Sequence, residues 1–78
     1  MHNKRLDLHG IRHADVKQLV IQFIEDNWES EEEDFEIITG HSANMKGIVL
    51  NVLDEYNLQY TVGELFNPLA PKIKFWIK

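Results

Sequence analysis

The chain has no cysteine. That excludes disulfide staples and thiolate zinc sites, and a cytoplasmic location is the expectation. No apolar run approaches the ~20 residues a membrane span needs, so no membrane partner is expected. Met1-His2-Asn3-Lys4-Arg5 has no apolar stretch behind it, so no secretory leader is read there. Prolines number two and glycines four in 78 residues. No linker, repeat or low-complexity segment interrupts the chain, which reads as one domain over 1–78 with a core from about 4 to 77. Basic residues are missing from one window: between Glu25 and Glu36 there are eight acids and no lysine or arginine.

That last absence changes how the net charge of −5 is read. Outside the window five acids face all eight basic residues, a net +3. The negative charge is therefore local. It marks a solvated acidic loop or, in a functional reading, a surface at 29–36 for a basic protein partner. A basic surface elsewhere on the molecule stays open.

What is present begins with Leu6-Asp7-Leu8-His9-Gly10. Alternation of apolar and polar residues predicts a half-buried strand over 5–8, ended by Gly10. Asp7 and His9 then stand together at the strand's C-terminal end, where open α/β sheets usually bind ligands. Val16, Leu19, Val20, Phe23 and Ile24 recur at helical spacing and predict a helix over 13–28. The acidic loop follows at 29–34. Phe35 to Thr39 reads as a buried strand ended by Gly40. Ser42 or Asn44 caps a second helix over 43–56, with Met45, Ile48, Val49, Val52, Leu53 and Tyr56 on its apolar side. A third strand is expected over 59–65, a turn over 67–71, and a fourth strand over 72–77.

The order is βαβαββ. Consecutive βα crossovers favour neighbouring parallel strands. Two helices most economically cover one face of a four-stranded sheet, giving an α+β two-layer sandwich with the other face partly open. Leu65-Phe66 and Trp28 either close the core or pair copies of the chain, and the oligomeric state is not fixed by the sequence.

The run Leu6-Asp7-Leu8-His9-Gly10, a helix, then Ile37-Ile38-Thr39-Gly40 leading through Ser42 and Gly47 into another helix, resembles the Smr domain, the small MutS-related family. The resemblance covers about Lys4 to Ile77. It implies a mixed-sheet fold like the C-terminal domain of bacterial translation initiation factor three. It also implies binding of nucleic acid, DNA or RNA, and in several members nicking of DNA or cleavage of RNA. It ties activity to Asp7 and His9, and substrate binding to Thr39, Gly40 and the helix start beyond. The family commonly has Thr-Gly-x-Gly, often with a basic residue at x. This chain has Thr39-Gly40-His41-Ser42, with Lys46 and Gly47 soon after.

The residues suggest how such a site would work. Unpaired amides at a helix start favour an anion, so Gly40-His41-Ser42 with Asn44 and Lys46 is a candidate phosphate seat; the same residues also make an ordinary strand-to-helix turn. Imidazole can act as general acid or base, which suits His9 to phosphodiester cleavage. Asp7 would then orient His9, position water or hold a divalent ion, magnesium or manganese. One carboxylate is thin for a metal, so no metal site is assigned. Alternatively the pair is inert, with the acid holding the imidazole by a hydrogen bond. Lys72, Lys74 and Trp76, with Lys78, form a basic stripe with one aromatic, suited to phosphates and a stacked base. The alternative is an edge strand guarded by lysines. His13 and His41 stand near helix starts and could assist binding. The function expected is nucleic-acid binding with nicking endonuclease activity, and the rival is a non-catalytic module binding nucleic acid or protein through the same surface.

Overall fold

The computed structural model describes residues 4–32, 34–63, 67 and 70–77. Its elements are β1 (Arg5–Asp7), α1 (His13–Asp26), β2 (Asp34–Ile38), α2 (Ala43–Glu55), β3 (Gln59–Val62) and β4 (Lys72–Trp76). All lie within a residue or two of the expected bounds, except that β3 ends at Val62. The strand expected to run to Leu65 gives way at Gly63, a bend at φ +78°, and Leu65 and Phe66, with Pro68, Leu69 and Lys78 of the later turn and stripe, lie outside the described residues.

The four strands form one mixed sheet in the order β1-β2-β4-β3. β1 and β2 are neighbours and run parallel, with Leu6 beside Ile37 and Asp7 beside Ile38. The expectation of a parallel pair holds for this first crossover. For the second, β2 and β3 run in the same direction but are not neighbours, because β4 lies between them and is antiparallel to both. Burial explains the order. In β4, Ile73 and Phe75 are wholly buried, whereas β3 is mostly exposed. A strand with a complete apolar face gains most from the centre, where both neighbours exclude water from it. β4 is consequently not an edge strand, and guarding an edge is not the role of its lysines.

Alternation puts most apolar residues of the strands and their ends on one face. Leu6, Leu8, Phe35, Ile37, Ile73, Phe75 and Ile77 meet Val16, Val20, Phe23 and Ile24 of α1 and Met45, Val49, Val52 and Leu53 of α2. Three phenylalanines form the centre. Phe23 from α1 sets its ring edge against Phe35 at 5.9 Å and Phe75 at 6.0 Å, and those two stack at 5.5 Å. Each fully buried side chain of this size contributes about 1.5–3 kcal/mol of transfer free energy. The opposite face carries Arg5, Asp7, Asp34, Glu36, Ile38, Lys72, Lys74 and Trp76, and among the described residues no helix covers it. Because β1 and β2 are parallel, the chain leaves both strands at the same end of the sheet. The starts of α1 and α2 are therefore brought together there, and that is where the sequence places its candidate residues.

Candidate nucleic-acid interface

β1 is fixed at its end by Leu8, which is wholly buried and whose amide donates to the Ile38 carbonyl at 2.8 Å. The chain then reverses over Leu8 to Ile11, with the Ile11 amide donating to the Leu8 carbonyl at 3.0 Å. Gly10 takes φ +81° in this turn, a value an L side chain strains to adopt. The Asp7 carboxylate accepts from the backbone amide of His9 at 2.9 Å. This corrects the expectation of a bond between the acid and the imidazole. Asp7 braces the turn that presents His9, and the ring is left for other contacts. The physical reason is the short Asx-type closure, in which an acid bonds the amide two residues on as the strand turns.

β2 leaves the sheet in a comparable way. Thr39 is buried, its amide donates to the Pro71 carbonyl at 2.9 Å, and its hydroxyl donates to the Gly40 carbonyl at 2.9 Å. Gly40 follows at φ +68°. A Cβ placed on Gly40 would lie 3.7 Å from Cδ2 of the His9 ring. The imidazole thus lies beside this turn, at the distance an added methyl group would just fill, and the two stretches singled out in the sequence form one place.

α2 starts immediately beyond. Ser42 is its N-cap, and its hydroxyl accepts from the Met45 amide at 3.1 Å. The same Ser42 oxygen lies 3.3 Å from Nε2 of His13, in the first turn of α1. The cap fixes one amide of the helix start. The amides of Ala43 and Asn44 lie ahead of the helix's own hydrogen-bond ladder and carry the positive end of its dipole. Two residues after Gly40 this chain thus has a serine that caps the start of the helix.

The other candidates are distributed as the register dictates. His41 and Asn44 are exposed at the same turn, and Lys46 is half-buried in the first part of α2. Lys72 pairs with Ile38 at this end of the sheet, on the open face, and Lys74 lies further along beside Glu36. Trp76 lies beside Asp34 at the opposite end of β4 and is not brought to the His9 turn. Sequence reasoning gave His13 no contact. The signal was available, because two parallel strands must start their helices side by side.

Charge on the open face is largely paired. Glu36 stands between Lys72 at 2.9 Å and Arg5 at 3.1 Å. The hydrogen bond from Lys72, aided by Arg5, holds the Glu36 carboxyl below the usual glutamate range despite partial burial. Lys4 reaches both Glu32 and Asp34 at 3.4 Å, and these carboxylates raise its pKa above the usual lysine value. Among the described residues, no group of three histidine, aspartate or glutamate side chains is placed to hold a metal ion.

The structure is a small α+β domain that gathers an imidazole and a helix start at one end of a mixed sheet. The model of the Smr domain family matches residues 6–72, so the chain belongs to the Smr domain family. No curated protein and no solved structure matches it. Among the described residues, no helix is long and apolar enough to cross a membrane.

Proposed function

We propose that this chain binds the phosphodiester backbone of DNA or RNA where β1 and β2 end, and that His9 cleaves one strand there. The observation that carries this reading is the placement of the His9 ring beside the Gly40 turn, where its Cδ2 lies 3.7 Å from the position a Cβ on Gly40 would take. A phosphate seated on the amides at the start of α2 lies within reach of that ring. The helix dipole and its free N–H groups favour the extra negative charge that develops on the phosphoryl oxygens. In hydrolysis a water oxygen bonds to phosphorus as the bond to the leaving oxygen breaks. The imidazole accepts the proton of the attacking water or supplies one to the leaving oxygen. Asp7 acts through the backbone as a positioning residue, since its carboxylate holds the His9 amide. Ser42 and His13 shape the far side of the seat.

The test incubates the protein with supercoiled plasmid and with a structured RNA, with and without magnesium or manganese. The expected result is nicking or cleavage of one substrate, lowered by about 100-fold or more in His9→Ala. Cleavage that persists in His9→Ala refutes this role for the residue. Binding with no cleavage of either substrate by the wild type leaves a non-catalytic nucleic-acid module. Failure to bind either substrate refutes the reading as a whole.

A further inference from the structure

A second candidate surface lies at the other end of the sheet. α1 ends at Asp26, and Trp28 follows with 47% of its surface exposed. Its ring leans on Tyr56 at a centroid distance of 6.0 Å. Between Trp28 and Trp76 a cleft of about 330 Å³ opens, completed by Asn57, Leu58, Gln59 and Ile77. Two indoles at one cleft present a large apolar area with π faces, a combination enriched where proteins bind partners.

None of the residues lining the cleft is charged, but carboxylates lie on the segments that carry its two indoles. The Tyr56 hydroxyl donates to Glu25 at 3.5 Å, which ties one carboxylate to the tyrosine that Trp28 leans on. Asp34 is the β2 residue directly across from Trp76. The loop joining Trp28 to Asp34 carries Glu29, Glu31 and Glu32. Lys4 is engaged with Glu32 and Asp34. Among the described residues, no cation pairs with Glu25, Asp26, Glu29 or Glu31. A nucleic-acid backbone brought here would meet a negative field. A cation would meet both the field and the indole faces.

We propose that the Trp28–Trp76 cleft docks a basic, arginine-bearing peptide segment of a protein partner. A guanidinium packs against the indoles, and the flanking basic residues face Glu25, Glu29 and Glu31. Arginine suits the cleft because its planar, weakly hydrated cation stacks on aromatic faces. The surface is separate from the His9 turn, so peptide and nucleic acid can be held together, and either property can be lost without the other.

The test follows tryptophan emission of the full chain during titration with an eight-residue peptide alternating arginine and glycine. A peptide with glutamate in place of arginine and a short single-stranded oligonucleotide serve as competitors. The expected result is a saturable change with the arginine peptide, with Kd raised about tenfold in Trp28→Ala and again in the double variant Glu29→Gln, Glu31→Gln. Neither competitor displaces the peptide. Because Trp28 is half exposed, its truncation leaves the core intact, and a circular dichroism melt checks this. The proposal is overturned by the absence of a saturable change or by unaltered Kd in either variant. It is also overturned by displacement with the oligonucleotide, or by concentration-dependent self-association in sedimentation that Trp28→Ala abolishes, since the cleft would then serve nucleic acid or a second copy.

Discussion

Replacing glycine by alanine at two sites in the same loop-and-helix unit should change stability in opposite directions. Gly40 stands at φ +68°. An L residue in that region carries about 1–2 kcal/mol of backbone strain. Alanine also restricts the unfolded chain, which offsets about 0.4–1 kcal/mol. The added methyl meets Cδ2 of His9 at 3.7 Å, an ordinary contact, so no clash is added. Gly40→Ala should therefore lose close to 1 kcal/mol by about this reckoning. Gly47 lies within α2, and a Cβ there meets nothing within 4 Å. Gly47→Ala should gain about 0.8–1 kcal/mol from helix propensity. In a domain of this size each change moves Tm by about 4–8 °C per kcal/mol, downward for the first and upward for the second. Urea unfolding with a far-ultraviolet signal measures both, with unchanged m-values. A stability gain in Gly40→Ala matching that in Gly47→Ala would refute the left-handed turn at Gly40. The placement of His9 against that turn would fall with it.

Other outcomes follow from the same contacts. Ser42→Ala should cost about 1 kcal/mol through loss of the α2 cap; Ser42→Asp should restore the stability but weaken oligonucleotide binding, because its carboxylate occupies the phosphate seat. A matched loss of stability and binding in both variants would contradict that seat. Glu36→Gln should cost roughly 1 kcal/mol at neutral pH, since two cations lose a half-buried carboxylate. The folded-state pKa of Glu36 is lowered. Its contribution is therefore complete above the ordinary glutamate value and is lost as pH falls through the lower folded value. Urea midpoints of wild type and Glu36→Gln should differ at neutral pH and converge in acid. A difference that grows toward acid would contradict the ion-pair geometry.

Most of the fold was legible because its elements are amphipathic over their whole length. Val16, Val20, Phe23 and Ile24 mark the buried side of α1, and Ile73, Phe75 and Ile77 mark that of β4. Strand order was less legible. Crossover rules address consecutive parallel strands, and the position of β4 between β2 and β3 depends on comparing how completely two strands can be buried. At the site, Leu6 to Gly10 and Thr39 to Ser42 could be recognised as two ends, and parallel pairing brings them together. The partner of the Asp7 carboxylate could not be read, since the turn amide two residues on competes with the imidazole ring for the same carboxylate acceptor. Glu36 looked like part of the acidic loop by composition. Its place inside β2, opposite Lys74 and near Arg5 and Lys72, makes it a charge node of the open face.

The most direct test of the shared site is amide and imidazole chemical-shift mapping during titration with short DNA and RNA strands. The account predicts that the backbone amides of Gly40 to Asn44 and the ring of His9 move together with one saturating Kd, while the Trp28 and Trp76 indoles stay still. Shifts confined to the Lys74 face or to the indoles, with His9 and the start of α2 unmoved, would contradict it.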